Sequence, residues 1–167
     1  KTVAVGASGY DADSKDNNDD RGRVRVFSYN GTLWEQVGNK DDIVGEADDD
    51  RAGYSVSLSA DGSTVAVGMQ KGFGAEGNLK GRVRMFSYND TRWVPVGGLD
   101  DIEGKAGDKV GHSVSLSADG KTVAVGEVGF GRFKGRVRVF YLDANGTRWV
   151  QVGNNDEIEG EAAGDQA

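Results

Sequence analysis

The sequence has no cysteine, one histidine and one proline in 167 residues. The missing cysteines exclude a disulfide framework, a thiolate nucleophile and any cysteine-based metal site. The lone histidine, His112, leaves catalysis little to work with, because a triad needs a base within reach of a nucleophile and a third group orienting that base. Cations are also short: 20 Lys and Arg stand against 27 Asp and Glu, a formal charge of −7. That balance argues against nucleic acid, whose binders need a basic face to displace counterions, and it disfavours an anionic membrane surface. No apolar run approaches the roughly 20 residues of a membrane-spanning helix, and no stretch carries sustained helical periodicity. Glycine is what the chain has in quantity: 27 residues, suited to many short strands joined by tight turns.

Those strands recur three times. Gly22–Phe27, Gly81–Phe86 and Gly135–Phe140 read Gly-Arg-Val-Arg-(Val/Met)-Phe. Each is preceded by Thr-Val-Ala-Val-Gly, at Thr2, Thr64 and Thr122, and followed by a Trp-led strand at Trp34, Trp93 and Trp149. A further strand, Tyr54–Ser59 and His112–Ser117, occurs twice. Self-similarity at this period is the signature of a repeat architecture. The fold class expected is all-β: β-propeller blades, each a four-stranded antiparallel meander, with repeats at 1–52, 53–110 and 111–167. Asp-Gly at Asp61 and Asp119 is expected to form a two-residue hairpin turn. Val24 and Val26 share one face, with Arg23 and Arg25 on the other, and the nearly all-apolar Thr-Val-Ala-Val strand is expected to lie between blades. The first repeat lacks its innermost strand, and Gly160–Asp165 matches Gly45–Asp50, so the chain reads as a fragment of a larger propeller, the alternative being two copies joined in one ring.

The run Gly-x-Ser-Val-Ser-Leu-Ser-Ala-Asp-Gly-x-Thr-Val-Ala-Val-Gly, followed by Gly-Arg-Val-Arg-Val-Phe, resembles the FG-GAP repeats of integrin α-subunit propellers and their microbial and algal relatives. Asp-Ile-x-Gly-x-Ala at Asp42–Ala47 and Asp101–Ala106 extends the likeness. The resemblance implies an extracellular or cell-surface propeller used for adhesion or binding. The family's calcium loops do not carry over, because Asp61 and Asp119 are lone carboxylates and calcium takes six to eight oxygens.

Four features are candidate sites. The acidic loop Asp11, Asp13, Asp16, Asp19 and Asp20 is a candidate calcium chelator, set against a solvated loop, and no other cofactor is expected. Phe73, Phe130 and Phe133, in the loops between the second and third strands, are candidate partner contacts, set against packing on the blade edge. Asn30, Asn89 and Asn145 each begin an Asn-x-Thr sequon, although Asn-Gly is also turn chemistry. The arginine pairs 23/25, 82/84 and 136/138 are expected to make surface ion pairs of little energetic weight, and Asp50, Asp108 and Asp165 to bond a turn.

The function expected from these features is a non-catalytic adhesion, structural or interaction module. Its partners are expected to be a protein or glycan at the 2–3 loops and further blades from the same chain or another copy, with no nucleic acid and no membrane insertion. A calcium-dependent binding module and the propeller domain of a larger enzyme, with its active site elsewhere, are the alternatives.

Overall fold

The computed structural model describes residues 1–12, 19–38, 41–70, 80–98, 101–153 and 157–166. They form three antiparallel sheets in chain order. The first holds β1 (Thr2–Ala7), β2 (Arg23–Tyr29), β3 (Trp34–Gln36) and β4 (Ile43–Val44). In the second, β5 (Ala52–Leu58), β6 (Thr64–Met69), β7 (Arg82–Tyr88) and β8 (Trp93–Val96) form a meander, with β9 (Ile102–Glu103) beside them. The third repeats this with β10 (Val110–Leu116), β11 (Thr122–Glu127), β12 (Arg136–Leu142), β13 (Trp149–Gln151) and β14 (Ile158–Glu159).

Two expectations are corrected. The outermost strand is broken: in the first sheet β3 pairs with the end of β2 and β4 with its beginning, through Arg23↔Val44 and Val24↔Ile43. Gly38, at φ +88, turns the chain out between the two pieces. The Asp-Gly hairpin is not a two-residue turn either. Ser59 N–H bonds Thr64 O at 2.9 Å and Gly62 N–H bonds Ser59 O at 3.0 Å, so Ala60 and Asp61 are the central pair and Gly62, at φ +77, takes the left-handed position. Asp61 serves the loop through its side chain, accepting from Ser59 Oγ at 2.6 Å and from Ser63 N–H at 3.0 Å.

Period-2 alternation decides the packing. In β1 and β2, Ala4 pairs with Val26 and Gly6 with Val24, so these four share the face toward the second sheet. From the other side β6 presents Val65, Val67 and Met69, and together they build a buried core with Ala52, Phe86 and Trp93. Ala66, Val83 and Met85, on the reverse of the second sheet, meet Val123 and Val125 of the third in an equivalent core. Each fully buried valine contributes about 1.5–3 kcal/mol, so both joints are held chiefly by these rows. Sheets apolar on both faces need neighbours on both sides, and the Thr-Val-Ala-Val strand lies between blades as its composition predicts.

Glycine sets the inner spacing. A Cβ on Gly6 would lie 2.1 Å from the Gly53 carbonyl oxygen, and one on Gly68 would lie 2.4 Å from that of Gly111. Only a hydrogen at those positions lets β5 and β10 seat against the preceding sheet. Tryptophan locks the outer edge: Trp149 Nε1 donates to Val96 O at 3.0 Å, and its ring covers Gly97. Pro95 falls in β8 at the outer edge, where a missing N–H is tolerated.

The 2–3 loops and the linkers lie at one end of the sheets. Arg51 N–H bonds Asp20 O at 3.0 Å, Ala52 N–H bonds Arg21 O at 2.8 Å, and Val110 N–H bonds Lys80 O at 2.9 Å. The 1–2 loops meet at the opposite end, where Ala60 N–H bonds Ala118 O at 3.0 Å.

Candidate functional site

The innermost strands carry the most distinctive geometry. Register slips between Ala52 and Ser55 in β5, and between Val110 and Ser113 in β10, so each strand bulges at a Gly-x pair. Gly53 and Gly111 supply the positive φ, +85 and +79. The next residue is thereby displaced from the ladder, a common way for a sheet to re-aim a side chain. Those residues are Tyr54 and His112. Both are exposed, and their rings sit 5.5 Å apart, tilted by 54°, across two neighbouring blades. Tyr54 and His112 share one repeat position, and the bulge that re-aims them is invisible in the alternation pattern.

No nucleophile accompanies the pair among the described residues. Ser55 Oγ donates to Gly111 O at 2.8 Å. Ser113 Oγ lies over Gly126, on the outer flank of the third sheet.

Two of the arginine pairs, 82/84 and 136/138, are corrected from surface decoration to joint chemistry, whereas Arg23 and Arg25 pair with Asp42 of their own sheet at 3.5 and 2.8 Å. Arg82 and Arg84, and Arg136 and Arg138, stand on the face of their sheet that meets the preceding blade. Arg82 reaches Asp50 of the first linker at 2.6 Å and Asp101 of its own sheet at 3.1 Å. Arg84 joins Glu46 at 2.6 Å and also pairs with Asp101; its guanidinium holds the Glu46 carboxyl below the usual range, against some burial. In the second joint Arg136 takes Asp108 at 3.3 Å, Glu157 at 2.6 Å and Glu127 at 2.6 Å, and Arg138 takes Glu127 as well. Burial pushes the Glu127 carboxyl up despite its two guanidinium partners. Asp50 and Asp108 also bond their turns, accepting from Ala47 N–H at 2.9 Å and Lys105 N–H at 2.8 Å, and Asp165 accepts from Ala162 N–H at 2.7 Å.

The described part of the acidic loop is engaged in its own structure. Asp19, buried, accepts from Ala12 N–H at 2.9 Å and faces Arg21 at 3.4 Å. Asp20 pairs with Arg51 at 2.9 Å, and Asp11 accepts from Asp20 N–H at 3.2 Å. Asp13 and Asp16 lie outside the described residues. Among the described residues no group of three metal-ligating side chains forms.

Of the loop aromatics, Phe73 also lies outside the described residues. Phe130 is half-buried beneath the Arg136 guanidinium at 3.9 Å, as Tyr10 lies beneath Arg23 at 3.9 Å. Phe133 is exposed, with Lys109 Nζ at 5.3 Å from its ring centre. Phe130–Phe133 makes one left-handed turn, in which Arg132 and Phe133 adopt φ +61 and +66.

The sequon positions are turn caps. Asn30 Oδ1 accepts from Thr32 N–H at 2.9 Å and Leu33 N–H at 3.1 Å, and Asn89 does the same for Thr91 and Arg92. In the third copy Asp143 takes this role, accepting from Thr147 N–H at 2.7 Å, so Asn145 is displaced from the equivalent position. Asp90, at φ +67, adopts the left-handed conformation in place of Gly31, which explains why the middle turn keeps Asn without Gly.

Solved structures with this arrangement include a candidate 6-phosphogluconolactonase from Bacteroides uniformis, at TM-score 0.52 and 16% identity over 85% of this chain and 35% of that one. They also include the periplasmic gluconolactonase PpgL of Pseudomonas aeruginosa, at TM-score 0.52 and 16% identity over 92% and 38%. The sheets are propeller-like blades. The chain spans little more than a third of either neighbour. No family model matches it, and no curated protein matches it, so the likeness to FG-GAP repeats and integrin propellers gains no support beyond the motifs themselves. The expectation of a chain with no enzymatic role is corrected: both neighbours are named as lactonases, so this blade arrangement is one that enzymes carry.

Proposed function

We propose that the chain supplies three blades to the propeller of a larger lactone-hydrolysing enzyme. The observation that carries this reading is the Tyr54–His112 pair, exposed on adjacent innermost strands by two matching bulges. Support comes from the likeness of the blades to two lactonase structures. Opening a lactone requires a base for the attacking water and a donor for the developing oxyanion. An imidazole and a phenol hydroxyl are groups of those kinds, and the axial edge of a propeller is a concave, shared position. Among the described residues neither a second base nor a cationic clamp stands beside the pair. The test is hydrolysis of glucono-δ-lactone and its 6-phosphate by the protein with its complete set of blades. A rate above the spontaneous one that falls at least about tenfold in His112→Ala supports the reading. A rate equal to the uncatalysed one overturns it.

A further inference from the structure

At the inner edge of the joint between the second and third blades the side chains are small and polar. In β5, Ser55 stands opposite Gly68 and Ser57 opposite Ala66, so these four share one face of the second sheet. Val65 and Val67, paired with Leu58 and Val56, take the other face and build the core with the first blade. The serine face is turned toward β10, and both serines reach it. Ser55 Oγ donates to Gly111 O at 2.8 Å, and Ser57 Oγ accepts from Leu116 N–H at 2.9 Å.

The first of these bonds falls on the peptide that aims His112. The Gly111 carbonyl belongs to the planar unit whose nitrogen is that of His112, so the direction of this oxygen sets the plane from which the imidazole departs. Glycine leaves such a plane free to turn, because it tolerates either sign of φ, and Gly111 sits at +79. The Ser55 hydroxyl removes that freedom. Tyr54 is the residue before Ser55, and Ser55 is the first residue back in the ladder after the bulge. One hydrogen bond thus ties the anchor of the tyrosine on one blade to the peptide of the histidine on the next, where the rings meet at 5.5 Å.

Room for the bond is built in. A Cβ on Gly68 would lie 2.2 Å from Ser55 Oγ and 2.4 Å from Gly111 O, so any side chain there would displace one partner or the other. The Ser57 bond holds Leu116, the last residue of β10, and does not touch the bulge.

We propose that Ser55 is the positioning residue of the axial pair: by holding the Gly111 carbonyl it sets the angle at which His112 faces Tyr54 across the joint. The alignment of the rings stands by itself, and its consequence for catalysis rests on the lactone-hydrolysing reading. A base must point at the attacking water before the proton moves, so misalignment falls on the chemical step and is read in kcat more than in KM.

The test compares Ser55→Ala, Ser55→Thr and Ser57→Ala in the protein with its complete set of blades. Two quantities are read: the nuclear Overhauser effect between the Tyr54 and His112 rings, and the hydrolysis of glucono-δ-lactone. Ser55→Ala should weaken the ring contact severalfold and lower kcat at least about tenfold, with KM changed less than about twofold. Ser55→Thr keeps the hydroxyl and should restore both. Ser57→Ala removes the other serine bond of the same joint; it should lower the thermal midpoint as Ser55→Ala does, yet leave the ring contact in place and kcat within about twofold. Should Ser55→Ala not fold, Ser55→Cys, a weak donor of similar size, carries the same comparison. A ring contact unchanged in Ser55→Ala, or one disturbed as much by Ser57→Ala, would overturn the proposal. Loss of the contact in Ser55→Ala, in a protein that hydrolyses no lactone, would support the positioning role and overturn the hydrolytic reading alone.

Discussion

Glu46 and Arg84 belong to different blades and meet at 2.6 Å across the first joint. Glu46 is largely solvent-exposed and Arg84 is not, so water screens one partner only. A double-mutant cycle on Glu46→Ala and Arg84→Ala should give a coupling energy of about 0.5–1 kcal/mol, at the upper end for exposed pairs. A coupling indistinguishable from zero in urea unfolding would show that the contact is incidental.

Asp50 has heavier duties. It accepts two linker N–H bonds, from Glu46 and Ala47, and the Arg82 guanidinium, while itself buried. Asp50→Ala should destabilise by about 2–4 kcal/mol, since it strands buried donors and a cation together. The midpoint of chemical denaturation reads this directly, and a loss below about 1 kcal/mol would contradict it.

The exchange of Glu46 and Glu127 between joints makes a compensation testable. Glu127→Met removes the carboxylate shared by Arg136 and Arg138 and should cost about 2–4 kcal/mol. Adding Lys105→Glu recreates the arrangement of the first joint and should recover at least half of that loss. If the double variant is no more stable than Glu127→Met, the two carboxylates are not interchangeable.

At the inner edge, Gly68→Ala should be far more damaging than Gly126→Ala. The first places a methyl 2.4 Å from the Gly111 carbonyl of the next blade, whereas the second meets first the Ser113 side chain, which can rotate away. Thermal midpoints should separate the pair by an amount equivalent to about 2 kcal/mol or more.

Acid stability should depend on the 1–2 loop. The hydrogen bonds from Ser59 and Ser63 lower the Asp61 carboxyl from 3.8 to about 2. A folded-state value below the unfolded one means the unfolded chain takes up the proton first, so the contribution is complete above about pH 4 and is lost as pH falls toward about 2. The stability gap between the unaltered chain and Asp61→Asn should therefore be constant at neutral pH and close over that acid window; a gap that persists unchanged at pH 2 would refute the assignment.

Much of the fold was legible because its cause is local. The repeated Thr-Val-Ala-Val and Arg-Val-Arg-Val patterns dictate strand, face and partner, and the structure places Val24, Val65 and Val123 where alternation puts them. The broken outer strand was not legible, because β4 is only Ile43–Val44 and pairs across a gap in sequence. The joint arginines were hidden for a related reason: in one strand Arg82 and Arg84 look solvent-facing, and only the blade stack shows that this face meets Asp50 and Glu46 of the preceding blade's linker. The sequons were ambiguous for a physical reason as well, since the carboxamide that glycosylation needs is also the one that caps the turn. Tyr54 and His112 were hidden by the bulge, a two-residue displacement that leaves no mark in hydrophobic periodicity.

A single histidine makes the axial site open to one clean measurement. Imidazole proton resonances of His112 can be followed by NMR while gluconate, the product of the proposed reaction, is added to the protein with its complete set of blades. The account predicts a saturable shift of the His112 signals accompanied by a shift of the Tyr54 ring, 5.5 Å away. His112 signals that stay in place while gluconate is raised well beyond the protein concentration would contradict it.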